Sequence, residues 1–169
     1  MVVADNRGQY FTSYKEPLER EMADSPTSQM IFVNLPVTDL AASRRFLEAL
    51  GATNEPKFTD DTAAAMQLSD NIFFMLLTHD KYRQFTPLPI ADAKASSAAL
   101  IALSRPSREA VDRSVETAVA AGGTADPGPI QDHGFMYGRS VADPDGHHFE
   151  LFWMDAAAAE QGASDMVAA

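Results

Sequence analysis

Apolar and polar positions alternate with period two from Met30. Ile31, Val33, Leu35 and Val37 form one face against Phe32, Asn34 and Pro36 on the other, which predicts a strand. Pro36 has no backbone N–H to donate, so this strand is expected at a sheet edge, at a bulge or at its own end. The period then lengthens to that of a helix. Leu40, Phe46, Leu47 and Leu50 share one side of a helix over Leu40 to Leu50, capped by Thr38 or Asp39 and stopped by Gly51. Ala52 to Asp61 reads as a strand broken by Pro56, and Ala63 to Leu68 as another. Ile72 to Thr78 follows the Ser69-Asp70-Asn71 turn as a third strand. Residues 79–96 carry two of the turn-forming prolines and many small or charged residues, the composition of a linker.

The same order then begins again. Ala98 to Ser104 is a strand, and Ser107 caps a helix with Val111, Val115, Ala118 and Val119 on one stripe. Gly122-Gly123 ends that helix. Thr124 to Ile130 is extended and interrupted by proline, and Phe135 to Ala142 is a strand. Asp143-Pro144-Asp145-Gly146 has the residues of a type I turn, and the strand after it alternates. Phe149, Leu151 and Trp153 make a core face, while His148, Glu150 and Phe152 point the other way. Asp70 to Leu77 superposes without gaps on Asp145 to Phe152, with Asn71 in the place of Gly146. The pattern predicts an α+β fold of two βαβββ modules, 30–78 and 97–154, joined into a curved mixed sheet around a concavity. A polar arm over 1–29 and an Ala-rich tail over 155–169 flank them.

Composition narrows the function classes. The chain has 169 residues, 46% of them apolar and 22% charged, within the range of globular domains. A net charge of −11 opposes nucleic-acid binding through phosphates. No apolar run reaches the length of a membrane helix, and the N-terminus lacks a secretory layout, so a cytoplasmic protein is expected. With no cysteine, disulfides, thiolate nucleophiles and thiolate metal sites are excluded, and His and carboxylates are left as the strong ligands.

Glu150 and His148 are the candidate catalytic pair. A carboxylate facing an apolar concavity is a general base, or else a vestige held by a neighbouring side chain. His148, two residues away on the same face, is its acid–base partner or a structural histidine. Phe32, Asn34, Phe73, Met75, Leu77, Phe152 and Met154 read as the lining of an apolar, partly aromatic pocket, or as packing. His133, beside Gly134, suits a lid over that pocket, and His79 suits its rim or an exposed linker. Tyr137 and Arg139 share one face of their strand. If that face is the concave one they hold a ligand's carboxylate or amide; if not, they belong to the surface.

Phe32-Val33-Asn34-Leu35-Pro36-Val37 near the front and Asp143-Pro144-Asp145-Gly146-His147-His148-Phe149-Glu150-Leu151 near the back resemble the vicinal oxygen chelate superfamily. This is the group of glyoxalase I, bleomycin-resistance proteins and extradiol dioxygenases, and the likeness runs from about Met30 to Met154, closest to bacterial glyoxalase-like proteins. It implies metal ligands on the first and last strands of each module. Carried over, these positions are Phe32, Met75, a residue near Ala98 to Leu100, and Glu150. Glu150 alone among them suits a hard divalent ion. The expectation is therefore a glyoxalase-like protein with a degenerate metal site and no cofactor, binding a small apolar or aromatic molecule. The alternatives are a metal-assisted lyase or ring-cleaving dioxygenase, with a divalent metal, or a scaffold with a filled cavity. The resemblance also implies a homodimer.

Overall fold

The computed structural model describes residues 3–4, 10–11 and 29–161. Along them run β1 (Val3–Ala4), β2 (Tyr10–Phe11), β3 (Ile31–Val37), α1 (Leu40–Ala49), β4 (Thr53–Glu55), β5 (Ala63–Ser69) and β6 (Ile72–Thr78). Then follow α2 (His79–Tyr82), β7 (Leu100–Ser104), α3 (Arg108–Ala120), β8 (Thr124–Ala125), β9 (Gln131–Asp132), β10 (Met136–Ala142), β11 (His148–Met154) and α4 (Ala156–Gln161). The arm expected over 1–29 lies mostly outside the described residues; within it β1 and β2 pair antiparallel. Most of the tail expected over 155–169 also lies outside them, after α4.

Local chemistry accounts for the element ends. Asp39 rather than Thr38 is the N-cap of α1, its Oδ1 accepting from Ala42 N at 3.0 Å. Ser107 caps α3 in the same way through Ala110 N. Both helices stop where a glycine takes a left-handed φ, +99° at Gly51 and +103° at Gly122. Pro56 ends β4 by opening a 3-10 turn, Pro56–Phe58, so the expected long strand there is three residues.

Apart from the β1–β2 pair, the strands form two sheets rather than one hydrogen-bonded sheet. The order is β3-β6-β5-β4 in the first module and β7-β11-β10-β8 in the second, with β9 also pairing with β10. In each, the first and last strands are parallel neighbours and the remaining pairs are antiparallel. α1 and α3 each cover one face of their own module's sheet. β3 is an edge strand, the placement that Pro36 requires.

One core serves both modules. Phe46 and Leu47 of α1 and Val111, Val115 and Ala118 of α3 pack on Leu35, Phe74, Leu76, Val141, Phe149 and Leu151. Phe149 is the bridge, with ring centroids 5.5 Å from Phe46 and 5.7 Å from Phe74. Val119, expected on the α3 stripe, is 42% exposed. Eight residues at about 100° each carry it roughly 80° around the helix from Val111, beyond the buried strip.

Polar contacts close the seam between the modules. The carboxylate of Asp145 accepts from Thr38 N at 3.1 Å, Thr38 Oγ1 at 2.6 Å and Ser43 Oγ at 3.3 Å, at the start of α1. His147 Nε2 lies 2.9 Å from the carbonyl of Pro36, to which it donates. From the other side, Arg105 Nη2 donates to Leu50 O and Thr117 Oγ1 to Ala49 O.

Candidate functional site

The turn before β11 decides which side chains meet. Gly146 N donates to Asp143 O, closing the type I turn, and Gly146 itself takes φ +98°. Asp143 N then donates to His147 O, so the hairpin has three loop residues, Pro144, Asp145 and Gly146. This sets the pairing as Ala142 with His148, Ser140 with Glu150 and Gly138 with Phe152. On the other side of β11, Leu100 lies beside His148 and Ala102 beside Glu150.

Glu150 therefore stands on the face away from α3, between Ala102 and Ser140. Both neighbours are too short to occupy it, and the carboxylate is exposed, with no hydrogen bond or ion pair to another described residue. A cavity of about 500 Å³ lies over this floor, lined by Leu100, Met136, His148, Glu150, Phe152 and Met154 among others. One wall is the loop at Gly128, Pro129 and Gln131. It is tied to the floor by Gly128 N, which donates to Ser140 Oγ at 3.1 Å.

Tyr137 and Arg139 lie on the opposite face. They pair with Trp153 and Leu151, under α3, although Arg139 is also among the residues that line the cavity over Glu150. Arg139 donates to Asp112 Oδ1 at 2.9 Å and, in a fork, to both oxygens of Asp126 at 3.1 and 2.6 Å. Those hydrogen bonds, those to Asp126 above all, push its pKa up, and Arg139 in turn holds Asp112 below the usual carboxylate range. Tyr137 Oη donates to the same Asp112 oxygen at 2.9 Å, and burial first, then that bond, raises its pKa. Beside them Arg108 grips Asp132 at 2.9 Å through both terminal nitrogens and lowers its pKa to about 2. The Arg108 guanidinium lies over the rings of Tyr137 and Trp153. These residues hold the loop over 126–134, the one that walls the cavity, from behind.

His133 is exposed, 3.1 Å from Gln131 Oε1 and stacked on Phe135. It is Gln131 that reaches the cavity wall, while His133 is absent from the lining. His79 opens α2 and lines neither cavity described here.

In the first module the equivalent open face carries Phe32 beside Phe73 and Asn34 beside Met75. Phe32 and Phe73 stack at 4.9 Å, 14° from parallel, and Phe32 remains 51% exposed. None of these four lines the cavity over Glu150. Asn34 and His148 do meet in a second cavity, of about 620 Å³, at the seam of the modules.

The register also tests the expected metal site. Phe32 stands to Phe73 as Leu100 stands to His148, and Met75 occupies the place of Glu150. Leu100 is thus the fourth position, and the donors are one carboxylate and one thioether. That set does not fit a hard divalent ion. Among the described residues no three His, Asp or Glu converge as ligands.

Residue reasoning overlooked Ala102, Gly138 and Ser140, whose small size makes the floor. The signal was present in Asp-Pro-Asp-Gly, since a type I turn followed by glycine is a three-residue hairpin loop and fixes the pairing.

No family model matches the chain, and no curated protein does. Solved structures do. The hypothetical protein SA1046 from S. aureus is 25% identical, with a TM-score of 0.62 over 82% of this chain and 99% of that one. A glyoxalase/bleomycin resistance protein/dioxygenase family enzyme from Burkholderia phytofirmans PsJN is 20% identical, with a TM-score of 0.62 over 75% and 98% of the two chains. A glyoxalase-related enzyme from Fulvimarina pelagi is 24% identical, with a TM-score of 0.62 over 74% and 87%.

Proposed function

We propose that this chain, a protein of the glyoxalase/bleomycin-resistance/dioxygenase fold of the vicinal oxygen chelate type, is a small-molecule binder. Its ligand has an apolar or aromatic body and a cationic or hydrogen-bond-donating group. The observation that supports this is Glu150, a carboxylate with no partner among the described residues, over Ala102 and Ser140 in a cavity of about 500 Å³. Leu100, Met136, Phe152 and Met154 supply apolar contact around it, with thioethers that adapt to ligand shape. Burying ~200 Å² of ligand at ~25 cal/mol per Å² gives about 5 kcal/mol before the cost of association. A charge-assisted hydrogen bond to Glu150, worth roughly 1.5–3 kcal/mol, then sets the sign of ligand preferred. A metal-assisted lyase or dioxygenase would need hard donors that Phe32, Met75 and Leu100 do not supply.

The test compares phenethylammonium, phenylacetate and 2-phenylethanol by calorimetry. Phenethylammonium is expected to bind at least about tenfold more tightly than phenylacetate, and Glu150→Gln to erase that preference. Ala102→Trp, which fills the floor, abolishes binding of all three. Equal affinity for the cation and the anion in the wild type would overturn the reading.

The same reading makes the protein a homodimer, with a second copy closing over the open faces. What supports this is the exposure of Phe32 and Leu100 on those faces, 51% and 55%. Sedimentation of the wild type should give twice the chain mass, and Phe32→Glu, a charge on the contact, should give the monomer. A wild type that sediments as a monomer at high micromolar concentration removes the dimer and leaves the Glu150 site to stand on its calorimetry.

A further inference from the structure

The segment between the modules is folded rather than slack. The Asp92 carboxylate accepts from Lys94 N, and the Asp92 carbonyl accepts from Ala95 N, Ser96 N and Ser96 Oγ. The segment then presses on Gly146, where a Cβ would stand 2.8 Å from Lys94 N and 2.7 Å from Lys94 Cγ. Lys94 is thereby held against the Asp143–Gly146 turn. Between this segment, β3 and the start of β7 lies the seam cavity of about 620 Å³.

Its walls are amphipathic. Pro36, Leu88, Ile90 and Ile101 are apolar, and Asn34, Tyr82, Ser97 and His148 are polar. Its charge is the reverse of the molecule's. The chain carries 24 acidic residues against 13 lysines and arginines, yet Lys94 lines this cavity and no Asp or Glu does. The acids of the adjoining turn are engaged: Asp145 with Thr38 and Ser43, and Asp143 with the backbone N–H groups of Asp145 and His147. Lys94 forms no ion pair with a described carboxylate.

We propose that the seam cavity is a second binding site, for a small carboxylate with an apolar tail. The Lys94 ammonium takes the carboxylate, with the Asn34 amide and Ser97 hydroxyl as neutral donors, and the tail lies along Leu88, Ile90 and Pro36. A cationic amphiphile would meet like charge at Lys94, and a neutral one would leave the ammonium unmatched. The site is independent of the reading given to Glu150, although His148 lines both cavities.

Octanoate, octylammonium and 1-octanol are the probes, titrated by calorimetry into the full chain. Octanoate is expected to bind at least tenfold more tightly than octylammonium. Lys94→Gln should remove that margin and Lys94→Arg should keep it; Lys94 is exposed, so neither change touches the core. Ser97→Trp, which occupies the cavity, abolishes octanoate binding, whereas Ala102→Trp, which fills the other cavity, leaves it unchanged. The proposal is overturned if octanoate and octylammonium bind alike, if Lys94→Gln retains the margin, or if Ala102→Trp rather than Ser97→Trp removes binding.

Discussion

Arg139 shows how a residue's surroundings decide its work. Its side chain is 19% exposed and reaches two carboxylates from different elements, Asp112 on α3 and Asp126 after β8. Replacing it with methionine keeps the aliphatic stem and strands both acids. The expected loss is about 2 kcal/mol in urea unfolding, the scale of lost charge-assisted hydrogen bonds. Lysine should not restore it, because one ammonium cannot reproduce the fork on Asp126 together with the bond to Asp112. The pH dependence has a definite sign. Asp112 has its folded pKa depressed, chiefly by the bond from Arg139. Its stabilisation is therefore present above the ordinary carboxylate value of about 3.9 and is lost as pH falls through the folded value. The gap between wild type and Arg139→Met should narrow from pH 6 toward pH 2; a gap that stays constant would show that Arg139 acts through packing alone.

The hairpin turn at Asp143 to Gly146 carries more than its own strands. It fixes the register of β10 on β11, holds the start of α1 through Asp145 and seats residues 93–94. Gly51 and Gly146 share a left-handed φ, +99° and +98°, but a Cβ at Gly51 meets nothing within 4 Å. Gly51→Ala should cost about 1–2 kcal/mol for the backbone alone. Gly146→Ala should cost clearly more, since its Cβ must displace backbone at 2.8 Å, and thermal unfolding of the two variants measures the difference. The same turn buries Asp143, and burial raises its pKa. A raised folded pKa means that the stability from this group is fully present below about 3.9 and is lost as pH rises through the folded value. Asp143→Asn keeps the acceptor for Asp145 N and His147 N and has no charge to bury. Its melting temperature relative to wild type should rise between pH 4 and pH 7, and an unchanged difference would mean that the buried carboxylate carries no net cost.

Across the whole molecule, the two modules share one core and so should unfold together. Phe149 touches Phe46 in one helix and Phe74 in the other sheet, and is fully buried. Truncation to alanine is expected to cost about 3–5 kcal/mol, as for other buried phenylalanines. The protein has one tryptophan, Trp153, in the second module. Its fluorescence reports that module, while far-ultraviolet circular dichroism reports both. The two transitions should coincide in wild type, and separate midpoints would show that the modules fold as independent units.

The sequence by itself determined the two long helices, the long strands and which residues share a face of each strand. Period and capping are local: Asp39 and Ser107 begin the helices, Gly51 and Gly122 end them, and alternation in β11 separates Phe149 and Leu151 from His148 and Glu150. The repeat of Asp70 to Leu77 on Asp145 to Phe152 carried the module order for the same reason, because each module is written in consecutive residues. What stands opposite what was decided by tertiary structure. One left-handed residue, Gly146, lengthens the hairpin loop by one position and sends Tyr137 and Arg139 to the helix side, away from Glu150. Their partner Asp112 lies 25 and 27 residues away, a separation that no periodicity encodes. The parting of Phe32 and Met75 from Glu150, and the cavity that residues 82–99 make with β3, depend on how two sheets pack around a shared core. That packing is set by long-range fit among side chains such as Phe46, Phe74 and Phe149, and not by the pattern along any one strand.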